Sequence, residues 1–140
     1  MASIEVTVHG RLFTDGQAFL RQGLQDSIEE LVQSGEQRLD QMLRPRPAGV
    51  YLSVAEAQRG KASTGNYRRN VHSIVTDLHG LITDGGVVYG PWLEGTSNRN
   101  MTTRFKGYAS FRRTAQWIES LAPAVLKRNI ERAIRRMDVP

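Results

Sequence analysis

His9, His72 and His79 are the imidazoles of this 140-residue sequence, and metal or general-base work would need them paired or set among acids. None has a histidine partner at i,i+4 and none sits in an acidic cluster, so they read as two strand residues and one turn residue. Asp77 and Asp84 flank an expected hairpin turn and could in principle work as acid and base. Turn carboxylates ordinarily stand in solvent, and that is the expectation for both. Residues 59–65 (Arg-Gly-Lys-Ala-Ser-Thr-Gly) contain the residue types of a phosphate loop but not its order, and no buried parallel strand precedes them. No G-x-S-x-G elbow is present, and the absence of cysteine excludes a thiolate metal site, a disulfide framework and a cysteine nucleophile. These residues argue for no catalysis, no cofactor and no metal. The expectation is a protein that is not an enzyme.

The remaining chemical signal is charge. The net charge is +5, with arginine far in excess of lysine, which favours planar, bidentate contacts to carboxylates or phosphates. Its distribution is uneven: residues 1–43 sum to −4, residues 44–95 to +2 and residues 96–137 to +8, with Asp138 completing the total. An acidic front and a basic back can meet a nucleic acid with the back, or meet another copy's front with it. Tyr108, Phe111 and Trp117 interleave with the basic residues, yet they fall at helical spacing with Ala115 and Ile118, which is a core pattern. No helix-turn-helix, RNA-binding or zinc-finger signature accompanies them.

The elements that must position these residues read as one α+β domain spanning 1–140, a long N-terminal helix packed on a small antiparallel β-sheet with C-terminal helices. Ile4, Val6 and Val8 alternate with polar residues, predicting a strand within an N-terminal arm over 1–13. Leu20, Leu24, Ile28, Leu31, Gly35, Leu39 and Met42 form one stripe of a helix over 17–43, capped by Asp15 and stopped by Pro45 and Pro47. At 1.5 Å per residue that helix is roughly 40 Å long, more than so small a domain is expected to cover, so part of its stripe is expected to face a neighbouring copy. Residues 49–89 read as β-rich. They hold a strand over 49–54, a loop over 59–66, a hairpin over 70–83 turning at His79-Gly80, and extended chain again at Val87-Val88-Tyr89. Residues 95–106 read as a second polar loop, and 107–137 as two helices, the first capped by Ser110 and the second started by Pro123. That second helix is expected to turn Val125, Leu126, Ile130, Ala133, Ile134 and Met137 inward and Lys127, Arg128, Arg132, Arg135 and Arg136 outward. No apolar run approaches the ~20 residues that span a bilayer, and the expectation is a protein of a cytoplasm or a particle, with no membrane partner.

Two segments resemble a known family. Thr64-Gly65-Asn66-Tyr67-Arg68-Arg69-Asn70-Val71 is similar to the Thr-Gly-x-Leu/Tyr-Arg-x-Ser-Ile segment of the tail-completion, or head–tail joining, proteins of long-tailed double-stranded-DNA phages. Tyr89-Gly90-Pro91-Trp92-Leu93-Glu94-Gly95-Thr96 resembles that family's Tyr-Ala-x-x-x-Glu-x-Gly-Thr segment, with Glu94 and Gly95 adjacent where the family has one residue between them. Residues 108–115 stand where the family has Pro-Phe-Leu-x-Pro-Ala, without the first proline, and the N-terminal strand is an addition.

The resemblance implies a structural neck protein of the virion, a ring of copies, expected as a hexamer, joining the DNA-filled head to the tail tube. Its implied partners are itself, adjacent head-completion and tail-terminator or tail-tube proteins, and genomic DNA passing non-specifically through the lumen. Its implied places are the virion neck and, during assembly, the host cytoplasm. Thr64, Gly65, Tyr67, Arg68, Tyr89, Trp92, Glu94, Gly95, Thr96, Arg104, Arg112 and Arg113 are the motif and interface candidates. Bland readings stand beside these: glycines that supply turns and aromatics that fill core, while Glu94 reads either as an intersubunit partner for an arginine or as a local cap or surface acid. The alternative function is a basic nucleic-acid-binding module.

Overall fold

Three short strands and two long helices carry the fold of the chain, whose structure is a computed structural model that describes residues 1–7, 18–44 and 66–137. Strand β1 (Ser3–Thr7) and the hairpin of β2 (His72–Thr76) and β3 (His79–Thr83) form an antiparallel sheet of order β1-β3-β2. The register sets Ile82 between Ile4 and Ser73, and Gly80 between Val6 and Val75, so one face of the sheet is largely apolar. That face is covered by helix α1 (Ala18–Met42), whose buried stripe is Leu24, Ile28, Leu31, Val32, Gly35 and Leu39. Between α1 and β2 lies the short helix α2 (Asn66–Asn70). After β3 come α3 (Gly90–Glu94), α4 (Asn98–Thr102) and the long closing helix α5 (Ser110–Met137).

The α+β architecture is the expected one, and several of its details are not. The hairpin turns at Asp77-Leu78, because Thr76 pairs with His79; Asp77 takes the positive φ of 45° that a tight two-residue turn asks for. His79 therefore begins β3, and Gly80 faces inward. A Cβ on Gly80 would stand 2.5 Å from Val32 Cγ2, so glycine here admits the helix rather than the turn. Of the β-rich region expected over 49–89, the described part contains α2, the hairpin and a turn. Val87-Val88-Tyr89 is not extended: Gly85 and Gly86 take positive φ, and the Gly90 N–H closes on the Val87 carbonyl at 2.9 Å. The polar stretch 95–106 contains α4, nucleated by a reciprocal cap in which Ser97 and Asn100 each bond the other's backbone.

The two C-terminal helices expected around Pro123 are one helix. Pro123 and its neighbours Glu119 and Ala124 are exposed, so the carbonyl deprived of its N–H partner can be hydrated, and α1 offers a continuous packing surface on both sides of the proline. The helices run antiparallel. Gly35 of α1 meets Ile118, Gly23 meets Asn129 and Ala133, and the Thr114 hydroxyl lies 3.6 Å from Met42 Sδ. The guanidinium of Arg38 stacks on Trp117 at 4.9 Å. This seam buries the α1 stripe that was expected to need a neighbouring copy. Ile134, expected inward, is 44% exposed, while the basic face of α5 is outward as expected. Among the described residues no helix is long and apolar enough to cross a membrane. The expected strand at 49–54, the loop at 59–66 up to Asn66 (which begins α2), Asp15, Pro45, Pro47, His9 and the side chain of Met137 lie outside the described residues.

Candidate functional site

Asp84 leaves the end of β3 and is fully buried, contrary to the solvated turn acid expected. The reason is its donors. One carboxylate oxygen accepts the Ala2 N–H at 3.1 Å and the Tyr67 hydroxyl at 3.3 Å, and the other accepts the Gly86 N–H at 2.9 Å. The Asp84 N–H in turn donates to the Ala2 carbonyl at 2.9 Å, so backbone and side chain together fasten the start of β1. Gly90 makes room, since a Cβ there would collide with the Asp84 carboxylate. Burial pushes the Tyr67 phenol far above its ordinary value, and the Asp84 and Glu94 carboxylates add to that shift. Tyr67 is thus a neutral donor at every physiological pH.

The two motif segments meet at this point. The Tyr67 ring lies 6.0 Å from that of Tyr89 and 6.5 Å from that of Phe111, and the Asn66 amide donates to the Tyr89 hydroxyl. Glu94 closes the cluster by accepting the Phe111 N–H at 3.0 Å and the Arg112 N–H at 2.9 Å, which caps the N-terminus of α5. That decides between the readings of Glu94 within one chain: it is a local cap, and Ser110 is not. Gly95 ends α3 at a φ of 97° and stands against the backbone of Lys106 and Gly107, where no side chain fits. Asn100 is buried and donates to the carbonyls of Trp92 at 2.9 Å and Phe105 at 3.0 Å, tying α4 beneath α3. Trp92 meets Phe105 at a tilt, with ring centroids 4.6 Å apart, and Arg99 lies over the Trp92 ring at 5.9 Å.

The other candidates fall apart in space or outside view. Arg68 forms a two-pronged pair with Asp40 of α1, at 2.6 and 2.8 Å, which holds the Asp40 carboxyl below its ordinary range. The Thr96 N–H bonds the Pro91 carbonyl at 2.9 Å and its side chain is exposed. Arg104, Arg112 and Arg113 are exposed. Thr64 and Gly65 lie outside the described residues. The acids of α1, expected to meet a neighbour's arginines, are partly engaged within the chain. Glu30 pairs with Arg128 and accepts from Asn129, which lowers its pKa, and Glu36 accepts from Ser73.

Chemically the cluster is a tie. Its one buried carboxylate is saturated by donors and inaccessible, and among the described residues no three His, Asp or Glu side chains gather as metal ligands. Sequence reasoning places Asp84 in solvent and misses Gly90 and Asn100. The signals were faint: a Thr-Asp-Gly-Gly end to β3, and the Ser-x-x-Asn spacing at 97–100. No family model, curated protein or solved structure matches the chain.

Proposed function

We propose that the chain is a structural, non-catalytic subunit of the neck of a long-tailed double-stranded-DNA phage. Copies would form a ring, expected as a hexamer, between head-completion proteins and the tail-terminator or tail-tube proteins, with the genome passing through. The observation that carries this reading is the meeting of Tyr67, from the Thr-Gly-x-Tyr-Arg-like segment, with Tyr89 and Glu94, from the Tyr…Glu-Gly-Thr-like segment, around Asp84. Residues that resemble a family's motifs and do nothing but lock three elements together suit a protein whose task is shape. The assembly would be built in the host cytoplasm and end in the virion.

The experiment is genetic. Particles produced without this chain should accumulate as filled heads and finished tails that do not join, and supplying the chain in trans should join them. Infectious joined particles formed without it would refute the reading. A basic nucleic-acid-binding module is the second reading, favoured by the exposed Lys127, Arg132 and Arg136 on the outer face of α5. It would show as tight duplex binding by a monomer through that face of α5, in a chain absent from particles.

A further inference from the structure

We infer that the lobe from Ser97 to Tyr108, continued by the first turn of α5, is the surface that touches duplex DNA, through its phosphates and without sequence preference. The source of that DNA rests on the neck reading; the contact itself does not.

The lobe is built rather than loose. Buried Asn100 bonds the carbonyls of Trp92 and Phe105, Lys106 Nζ donates to the Asn100 carbonyl at 3.0 Å, and the Tyr108 N–H donates to the Leu93 carbonyl at 2.7 Å. On this frame Arg99, Arg104 and Lys106 are exposed, and Arg112 and Arg113 follow directly on α5. No acid occurs between Glu94 and Glu119, and Glu94 is occupied as the cap of α5. Among the described residues none of these five cations is in an ion pair, whereas Arg21, Arg68, Arg128 and Arg135 all are. Lys127, Arg132 and Arg136 are also outside any ion pair among the described residues, but they share their stretch of α5 with Glu131, and Arg132 lies near enough to Glu30 to help lower its pKa.

Nothing among the described residues neutralises this patch, so it is open to an anion from outside. Of the acids of α1, Glu30, Glu36 and Asp40 already have partners at home and Asp26 accepts from Gln22, which leaves the single exposed Glu29 to offer five cations of a second copy. The aromatic rings beneath the lobe also discriminate. Trp92, Phe105 and Tyr108 meet tilted and edge-on at 4.6 and 5.0 Å and are half-buried, so they pack the lobe and leave no open ring platform for unpaired bases. Charge without stacking or groove-reading elements fits the regular phosphates of a duplex.

The test is a salt titration of the full-length chain on a short mixed-sequence duplex, read by fluorescence anisotropy. Each phosphate contact contributes about 0.9 to the log–log salt slope, so Arg99→Gln/Arg104→Gln/Lys106→Gln should lower the slope by about 2.7. In fold terms, the variant should forgo about 500-fold of the affinity that the wild type loses across a tenfold rise in salt. Arg104→Gln alone, which breaks no bond within the lobe, should lower the slope by about 0.9. Lys127→Gln/Arg132→Gln/Arg136→Gln should leave it unchanged. An unchanged slope in the lobe variants, a loss confined to the α5 variant, or a preference for single strands would overturn the inference. So would displacement of the duplex by polyglutamate at equal charge, since the partner would then be an acidic protein surface. Necks that contain rings of a chain with an inert lobe would refute this inference alone; a lobe that binds duplex in a chain absent from necks would refute the neck reading alone.

Discussion

Replacing Asp84 by alanine removes the acceptor shared by Tyr67, Ala2 and Gly86. Tyr67 is 6% exposed, so its hydroxyl would be left without a partner, and a buried orphan of that kind costs about 1–3 kcal/mol. The Ala2 N–H is half-buried and adds a smaller amount, while Gly86 is exposed and can turn to water. The sum is about 2–5 kcal/mol, a large fraction of the roughly 5–15 kcal/mol that a domain has in total. Urea unfolding followed by the fluorescence of Trp92 and Trp117 would read it. With a slope of about 2 kcal/mol per molar urea, the midpoint should fall by about 1–2.5 M. The diagnostic is a double-mutant cycle. Tyr67→Phe alone should cost about 1 kcal/mol, but in the Asp84→Ala background it should be neutral or stabilising, because it then removes the orphaned hydroxyl. A midpoint that does not move, or a Tyr67→Phe cost equal in both backgrounds, would refute the claim that this carboxylate ties the motif segments together.

Three further outcomes follow from the same geometry. Glu94→Ala should lower stability by about 0.5–2 kcal/mol by uncapping α5, and Glu94→Gln by less, as thermal melts would show. Gly80→Ala should cost about 1–3 kcal/mol in urea unfolding, since the new methyl meets the stiff, β-branched Val32 at 2.5 Å. For pH, the Glu30 and Asp40 carboxyls are held below their ordinary values of 4.5 and 3.8 by hydrogen bonds from Arg128 with Asn129, and from Arg68. Lowered in the folded state, they stabilise fully above those values, and that contribution is lost progressively as pH falls below them and through the lower folded-state values. Glu30→Gln/Asp40→Asn should therefore flatten the fall of Tm on acidification below pH 4.5, and an unaltered acid limb would contradict the pairing.

Periodicity made the framework legible. The alternation around Ile4 gave β1, the stripe from Leu24 to Leu39 gave α1 within a residue or two of its ends, and the apolar run from Val71 to Ile82 gave the hairpin. What periodicity does not carry was misplaced. The turn went to His79-Gly80 because glycine marks turns, whereas Gly80 is small for the sake of Val32 and Ile28. Pro123 was read as a helix start because its local cost is visible in sequence and the continuous support of α1 is not. The same blindness to long-range partners hid the candidate site. Asp84 looks like any turn aspartate until Ala2, far away in the chain, brings its N–H to it. The charge split was legible, but its meaning depended on the antiparallel seam that lets Glu30 meet Arg128 inside one chain.

An image reconstruction of the necks of particles that encode this chain would decide its proposed place in the virion. A ring of copies should stand between head and tail, each with α1 and α5 side by side and the three-stranded sheet against α1. A neck completely accounted for by other chains, with this one absent from the particle, would contradict it.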